Sequence, residues 1–178
     1  MDSRSSSDKT AHTPAFASAL VVNPASPTAA STAAYAAALH LPVLFTGRDS
    51  LPAATAKALS SLDISNTIVV GSSSVVGTAV VQKLPKPARY ASTAADAAGA
   101  SRAFTSAAVR AGVPSNVVYV VDSAQAMQAA LSGSAVARRG GLLLLVPHAD
   151  VAATQRTLSG LGLGTRVDRI LVLARPAG

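Results

Sequence analysis

The residues able to do chemistry are few and scattered. Histidine occurs at His12, His40 and His148. His148 stands in "VPHAD", two residues before Asp150, which invites a Ser–His–Asp reading. Such triads draw on distant segments, and sequence neighbours rarely supply the geometry. All eight acidic residues are Asp and they are spread along the chain, which disfavours paired carboxylates working as acid and base. There is no Cys, and no group of His and Asp at metal-ligand spacing. The expectation is a chain with no catalytic residue, no metal and no cofactor.

One stretch has the form of an anion site. In "IVVGSSSVVG" a strand runs into Gly71 and then into a helix start, the way phosphate-binding turns are built. The spacing is neither GxGxxG nor GxxxxGK[ST], and no acidic residue follows where a ribose would need one. The plainer reading is a tight β-to-α turn in which Gly71 supplies backbone freedom.

The arginines are the other candidates. Arg102 and Arg110 fall on a long linking helix, Arg138 and Arg139 close the next helix, and Arg156, Arg166 and Arg169 follow. A basic residue at a helix C-terminus is first a partner of the helix dipole. As a set, however, they outnumber lysine in a chain of net charge +7. Guanidinium favours planar, bidentate contact with carboxylate or phosphate. A basic excess points to an anionic partner, or simply keeps an Ala-rich surface soluble.

The elements that must position these groups are legible from periodicity. "FASALVV", "LPVLFT" and "NTIVVG" read as buried strands. Between and after them, "SPTAASTAAYAAALH", "SLPAATAKALSSL" and "SVVGTAVVQKL" read as helices, with Ser26 and Ser50 as N-caps. "PKPARYAST" breaks the pattern, and a long helix is expected from Ala94 to Ala111. The order then returns: strand "NVVYVVD", helix "SAQAMQAALSGSAVARR", strand "GGLLLLV", helix "ADVAATQRTLSGL", strand "DRILVLA". Strands apolar throughout and separated by helices imply a parallel sheet with helices on both faces.

The two halves are copies. "AATAKALSSL" (53–62) and "AATQRTLSGL" (152–161) share six of ten residues at an offset of 99. At that offset Leu20, Val21 and Val22 fall on Tyr119, Val120 and Val121, and Pro42 to Phe45 on Gly141 to Leu144. "TIVV" meets "RILV" after a slip of a few residues. The expected fold is α/β, Rossmann-like or flavodoxin-like, built from duplicated β-α-β-α-β units. Residues 1–14 are a polar leader expected to be disordered, 15–90 a first unit and 91–178 a second, incomplete one, or the two form one continuous domain. No apolar run is long enough to span a bilayer.

Residues 25–84, with "LPVLFT", "SLPAATAKAL" and "VVGSSSVVGTAVVQKL", resemble the type 2 cell-wall-binding repeat. "AGASRAFTSAA" resembles the start of a following repeat, with Gly99, Arg102, Phe104 and Thr105 in the corresponding places. The resemblance covers roughly residues 16–175, as nearly two repeats. It implies a secreted protein at the cell wall of a Gram-positive bacterium, its signal segment removed. An actinobacterial origin suits the Ala-rich composition. It further implies non-covalent binding of an anionic polysaccharide or teichoic-acid-like polymer, with no nucleic acid as partner. Arg102, Arg138, Arg139 and helix N-termini would contact the polymer, Pro42, Val43, Leu44 and Phe45 would shape the groove, and Gly71 would line it. Alternatives are an envelope scaffold that binds proteins or its own copies, and a small nucleotide- or sugar-phosphate enzyme using the Gly71 turn.

Overall fold

The computed structural model describes residues 17–90, 96–125, 132, 135–136 and 138–173. The leader 1–14 lies outside them. So does about half of the expected helix over 123–139, of which Ser123–Gln125 form a 3-10 turn and residues 132, 135, 136, 138 and 139 are helical.

Two parallel sheets form, one per unit. In the first unit β1 (Ser18–Val22), β2 (Val43–Phe45), β3 (Asn66–Val70) and β4 (Pro87–Tyr90) lie in the order β2-β1-β3-β4. Helices α1 (Ala33–Ala38), α2 (Ala53–Ser61) and α3 (Thr78–Val81) connect them. The linking helix α4 (Ala97–Arg110) leads to β5 (Val117–Asp122), β6 (Leu142–Val146), α5 (Val151–Gly160) and β7 (Arg169–Val172), in the order β6-β5-β7. All pairings are parallel.

Several local expectations hold and others change. Ser26 caps as expected, its hydroxyl accepting from the Thr28 N–H at 3.3 Å, but a 3-10 segment, Pro27–Thr32, precedes the short α1. Ser50 does not cap α2. Pro52 takes the cap position, while the Ser50 carbonyl accepts from the Thr46 hydroxyl and the Gly47 N–H, both at 3.0 Å. β4 falls in the stretch read as a break, "PKPARYAST". Pro87 opens that strand at the sheet edge, where a missing N–H costs no ladder bond.

The repeat is real in the backbone. α2 and α5 end in the same cap. Asp63 (φ 53) and Gly162 (φ 69) take the left-handed conformation, and the Ile64 and Leu163 N–H groups reach back to Leu59 (3.0 Å) and Leu158 (2.8 Å). The strand ladders refine the alignment. Leu20 pairs with Val43 and Ile68, whereas Tyr119 pairs with Leu143 and Leu171. Val43 therefore corresponds to Leu143 rather than Leu142, and Ile68 to Leu171. A slip of one residue matters because it exchanges the two faces of a strand.

The two units present opposite faces to their shared core. That core holds Leu20, Val22 and the α1 residue Tyr35 from the first unit, and Val118, Val120 and the α5 residue Leu158 from the second. Ala19, Val21 and Leu59 of α2 pack on the far side of the first sheet. Tyr119, Val121 and Val136 pack on the far side of the second. Phe104 of α4 sits in the shared core at 2% exposure, with its ring 5.2 Å from Tyr35 and 6.3 Å from Tyr90. Burial, with a smaller push from Tyr90, raises the Tyr35 phenol above its ordinary pKa against an opposing pull from Arg110.

Helix α4 also seals an edge. The Ser101 hydroxyl accepts from the Leu145 N–H at 2.9 Å, and the Thr105 hydroxyl donates to the Leu143 carbonyl at 3.2 Å. Both side chains stand in for the missing neighbour strand of β6. Ser101→Ala leaves the buried Leu145 N–H without its partner. It is expected to lower unfolding free energy by about 1–3 kcal/mol, read from a urea titration.

Candidate functional site

A broad cleft opens between α4 and α5 at the carboxyl end of β6, the strand end where α/β folds place ligands. It encloses about 630 Å³. Arg102 and Ala103 of α4 form one wall, and Val146 with Pro147 the floor. Ala153, Arg156, Thr157, Gly160 and Leu161 form the other wall. Positions 153, 156, 157 and 160 recur at helical spacing, so a single face of α5 looks into the cleft.

Its chemistry is cationic. Arg102 and Arg156 are exposed guanidinium groups, and among the described residues that line the cleft there is no carboxylate. Arg156 anchors through Nε, which donates to the Ala152 carbonyl at 3.3 Å, and the Thr157 hydroxyl is turned to the Ala153 carbonyl at 2.8 Å. Among the described residues the one ion pair is Arg48–Asp49, at 3.7 Å on the surface and away from the cleft lining.

The N-termini of α4 and α5, the helices that wall the cleft, are already occupied by carboxylates. Asp96 caps α4, accepting from Gly99 N–H at 2.7 Å, and Asp150 caps α5, accepting from Ala153 N–H at 2.7 Å. A carboxylate already occupies the positive end of each helix, so a second anion would meet like charge there. Asp150 is thus committed to its helix. The neighbouring His148 stands in the left-handed region (φ 57) with its own N–H donated to Asp122 at 3.1 Å. Among the described residues no three His, Cys, Asp or Glu gather as metal ligands.

The other expected site residues separate. Gly71 is buried, and its N–H is spent on the Tyr90 carbonyl at 2.9 Å. Its positive φ of 99 and the Val75 side chain, 3.0 Å from where a Cβ would stand, explain the glycine. Its carbonyl accepts from Arg89 Nη1 at 3.0 Å, while Arg89 Nη2 donates to the Val76 carbonyl at 2.6 Å. Both backbone groups of Gly71 are thus engaged within the protein, so Gly71 itself offers no free donor to a phosphate. Arg89, which the sequence did not single out, acts here as a clamp. Gly71→Ala and Arg89→Ala are each expected to lower unfolding free energy, by about 1–3 kcal/mol.

Pro42, Val43, Leu44 and Phe45 belong to the edge of the first sheet. The Pro42 carbonyl accepts from the Leu20 N–H, and Val43 and Leu44 pack onto the cores on opposite faces. Only Phe45, at 56% exposure, faces outward, and none of the four lines the arginine cleft. Arg138 and Arg139 are exposed before the start of β6, at the sheet end opposite Arg102. Arg139 edges a separate hollow of about 270 Å³ with Tyr119, Val136 and Leu173. Arg156 joins Arg102 instead, a pairing that sequence spacing does not disclose because it depends on how α4 packs beside α5.

No family model matches the chain, and no curated protein matches it. Among solved structures, Cwp6 from Clostridium difficile superposes with a TM-score of 0.72 at 14% sequence identity. The match covers 90% of this chain and 26% of that one, so the chain spans about a quarter of Cwp6. What the two share is the fold, parallel sheets flanked by helices, over nearly the whole of the chain described here.

Proposed function

We propose that this chain is a non-catalytic module of the cell wall that holds an anionic wall polymer, polysaccharide or teichoic-acid-like, in the α4–α5 cleft. The observation that carries the reading is the pair Arg102 and Arg156 in a broad cleft whose described lining holds no carboxylate. The net charge of +7 supports it. So does the fold shared with Cwp6, a cell wall protein. An extracellular location at the wall follows from the same reading, and no described helix is long and apolar enough to cross a membrane.

Mechanistically, each exposed guanidinium adds a weak contact to a phosphate or carboxylate. Retention comes from many such contacts along a repeating polymer. Salt weakens them because the charges face water. The test is sedimentation of the purified protein with isolated actinobacterial cell walls at low and high salt. Retention at low salt with release at high salt is the expected result, and a protein left in the supernatant at both would end the proposal.

A further inference from the structure

Arg102 and Arg156 bring to the α4–α5 cleft guanidinium groups, which donate hydrogen bonds and accept none. Arg156 gives its Nε proton to the Ala152 carbonyl at 3.3 Å, which leaves its terminal nitrogens as donors. Thr157 is the one other polar side chain in the described lining, and its hydroxyl proton is committed to the Ala153 carbonyl at 2.8 Å. The rest of that lining is Ala, Val, Pro, Gly and Leu. The side chains thus offer two charged donor groups and a single hydroxyl acceptor.

A sugar ring asks for a different lining. Each of its hydroxyls both donates and accepts, so side chains that hold a ring must pair donors with acceptors. Its C–H face packs on flat aromatic side chains. The described aromatics all stand elsewhere. Tyr35, Tyr90 and Phe104 cluster in the shared core, Tyr119 packs on the far side of the second sheet, and Phe45 lies at the edge of the first. The chain has no Trp. Gln155 is the one amide on α5, and it falls off the helix face formed by positions 153, 156, 157 and 160. Asp150 is held at the α5 N-terminus by the Ala153 N–H.

On the reading of the cleft given above, we infer that it selects the charged linkages of a wall polymer and is blind to the sugars between them. The group it takes is an acceptor-only anion, phosphodiester or carboxylate. Such a group meets guanidinium donors and leaves no donor of its own unpaired. Charge-assisted hydrogen bonds are roughly twice as strong as neutral ones, so the one bond that Thr157 could accept from a sugar hydroxyl does not decide binding. Polymers that differ in their sugars and share their charges are held alike.

Fluorescence anisotropy of end-labelled linear polyphosphate, a polyanion without sugar, tests this in the absence of walls. The full chain is expected to bind it at low salt. Dextran, a neutral polysaccharide, is expected to leave it bound at every soluble concentration. Polyglutamate, a carboxylate polymer without sugar, identifies the anion. Displacement means that carboxylate serves as well as phosphate, persistence means that phosphate is required, and both support a cleft that reads charge. Arg102→Glu with Arg156→Glu is expected to weaken polyphosphate binding about tenfold or more, and Arg138→Glu with Arg139→Glu about twofold or less. If the charge reversals disturb the fold, Arg102→Gln with Arg156→Gln decides, with a loss in the same direction. Displacement by dextran overturns the inference. So does a failure to bind polyphosphate, or an equal loss in the cleft pair and the control pair. A protein that sediments with walls and ignores polyphosphate refutes the sugar-blind cleft and keeps the wall proposal. Polyphosphate held through Arg102 and Arg156 by a protein that walls do not retain does the reverse.

Discussion

Phe104→Ala is expected to cost about 3–5 kcal/mol of unfolding free energy, the range for truncating a fully buried aromatic. Phe104 is 2% exposed and packs on Tyr35 and Tyr90, so three of the six aromatic residues in the chain meet at one point. Tyr35 comes from α1, Tyr90 from β4 and Phe104 from the linking helix. The cluster therefore ties both units through the shared core. Around it stand Ala107, Ala108, Val118 and Leu142, small or already committed to the sheet. They cannot move in to fill the space, and an unfilled cavity adds to the lost transfer energy. A domain of this size holds only about 5–15 kcal/mol in total. A urea titration followed by circular dichroism would read the loss directly. A cost below about 1 kcal/mol would mean that the cavity collapses and the cluster does not brace the two units.

Arg102→Glu combined with Arg156→Glu is expected to lower wall retention at low salt about tenfold or more, equivalent to about 1.4 kcal/mol. That is roughly 0.7 kcal/mol for each exposed charge, within the usual range for surface ion pairs. The control is Arg138→Glu combined with Arg139→Glu. Each pair lowers the net charge by the same amount, from +7 to +3, since every Arg→Glu change removes two charges. General attraction between a basic protein and an acidic wall would weaken equally in both variants. Cleft binding predicts a large loss in the first and about a twofold loss or less in the second. Equal losses would show that the polymer is held by net charge rather than by the α4–α5 cleft. The difference should shrink as salt rises, because at about 0.1 M the screening length is only about 10 Å.

Much of the fold was written in local pattern. Continuous apolar runs marked six of the seven strands, and the Leu59/Leu158 and Thr55/Thr154 positions placed matching helices in both units. The shared left-handed cap at Asp63 and Gly162 lies one residue past the matched stretches and came from the backbone alone. β4 escaped because its four residues, Pro-Ala-Arg-Tyr, carry no apolar alternation. They are a strand only because the open edge of β3 supplies their partners.

The candidate site divided along the same line. Sequence alone determined that the chain is basic and Arg-rich, lacks Cys and Glu, and repeats itself. It also nominated Arg102. Only tertiary structure decided that Arg156 stands beside the same cleft, that both backbone groups of Gly71 are engaged within the protein, and that Arg138 and Arg139 sit at the other end of the sheet. It alone revealed that the second unit turns the opposite face to the core from the first. The reason is physical. Periodicity records which face of each element is apolar, but not which other element will cover it. That choice is made by long-range packing, where burial energy is nearly indifferent to sequence distance.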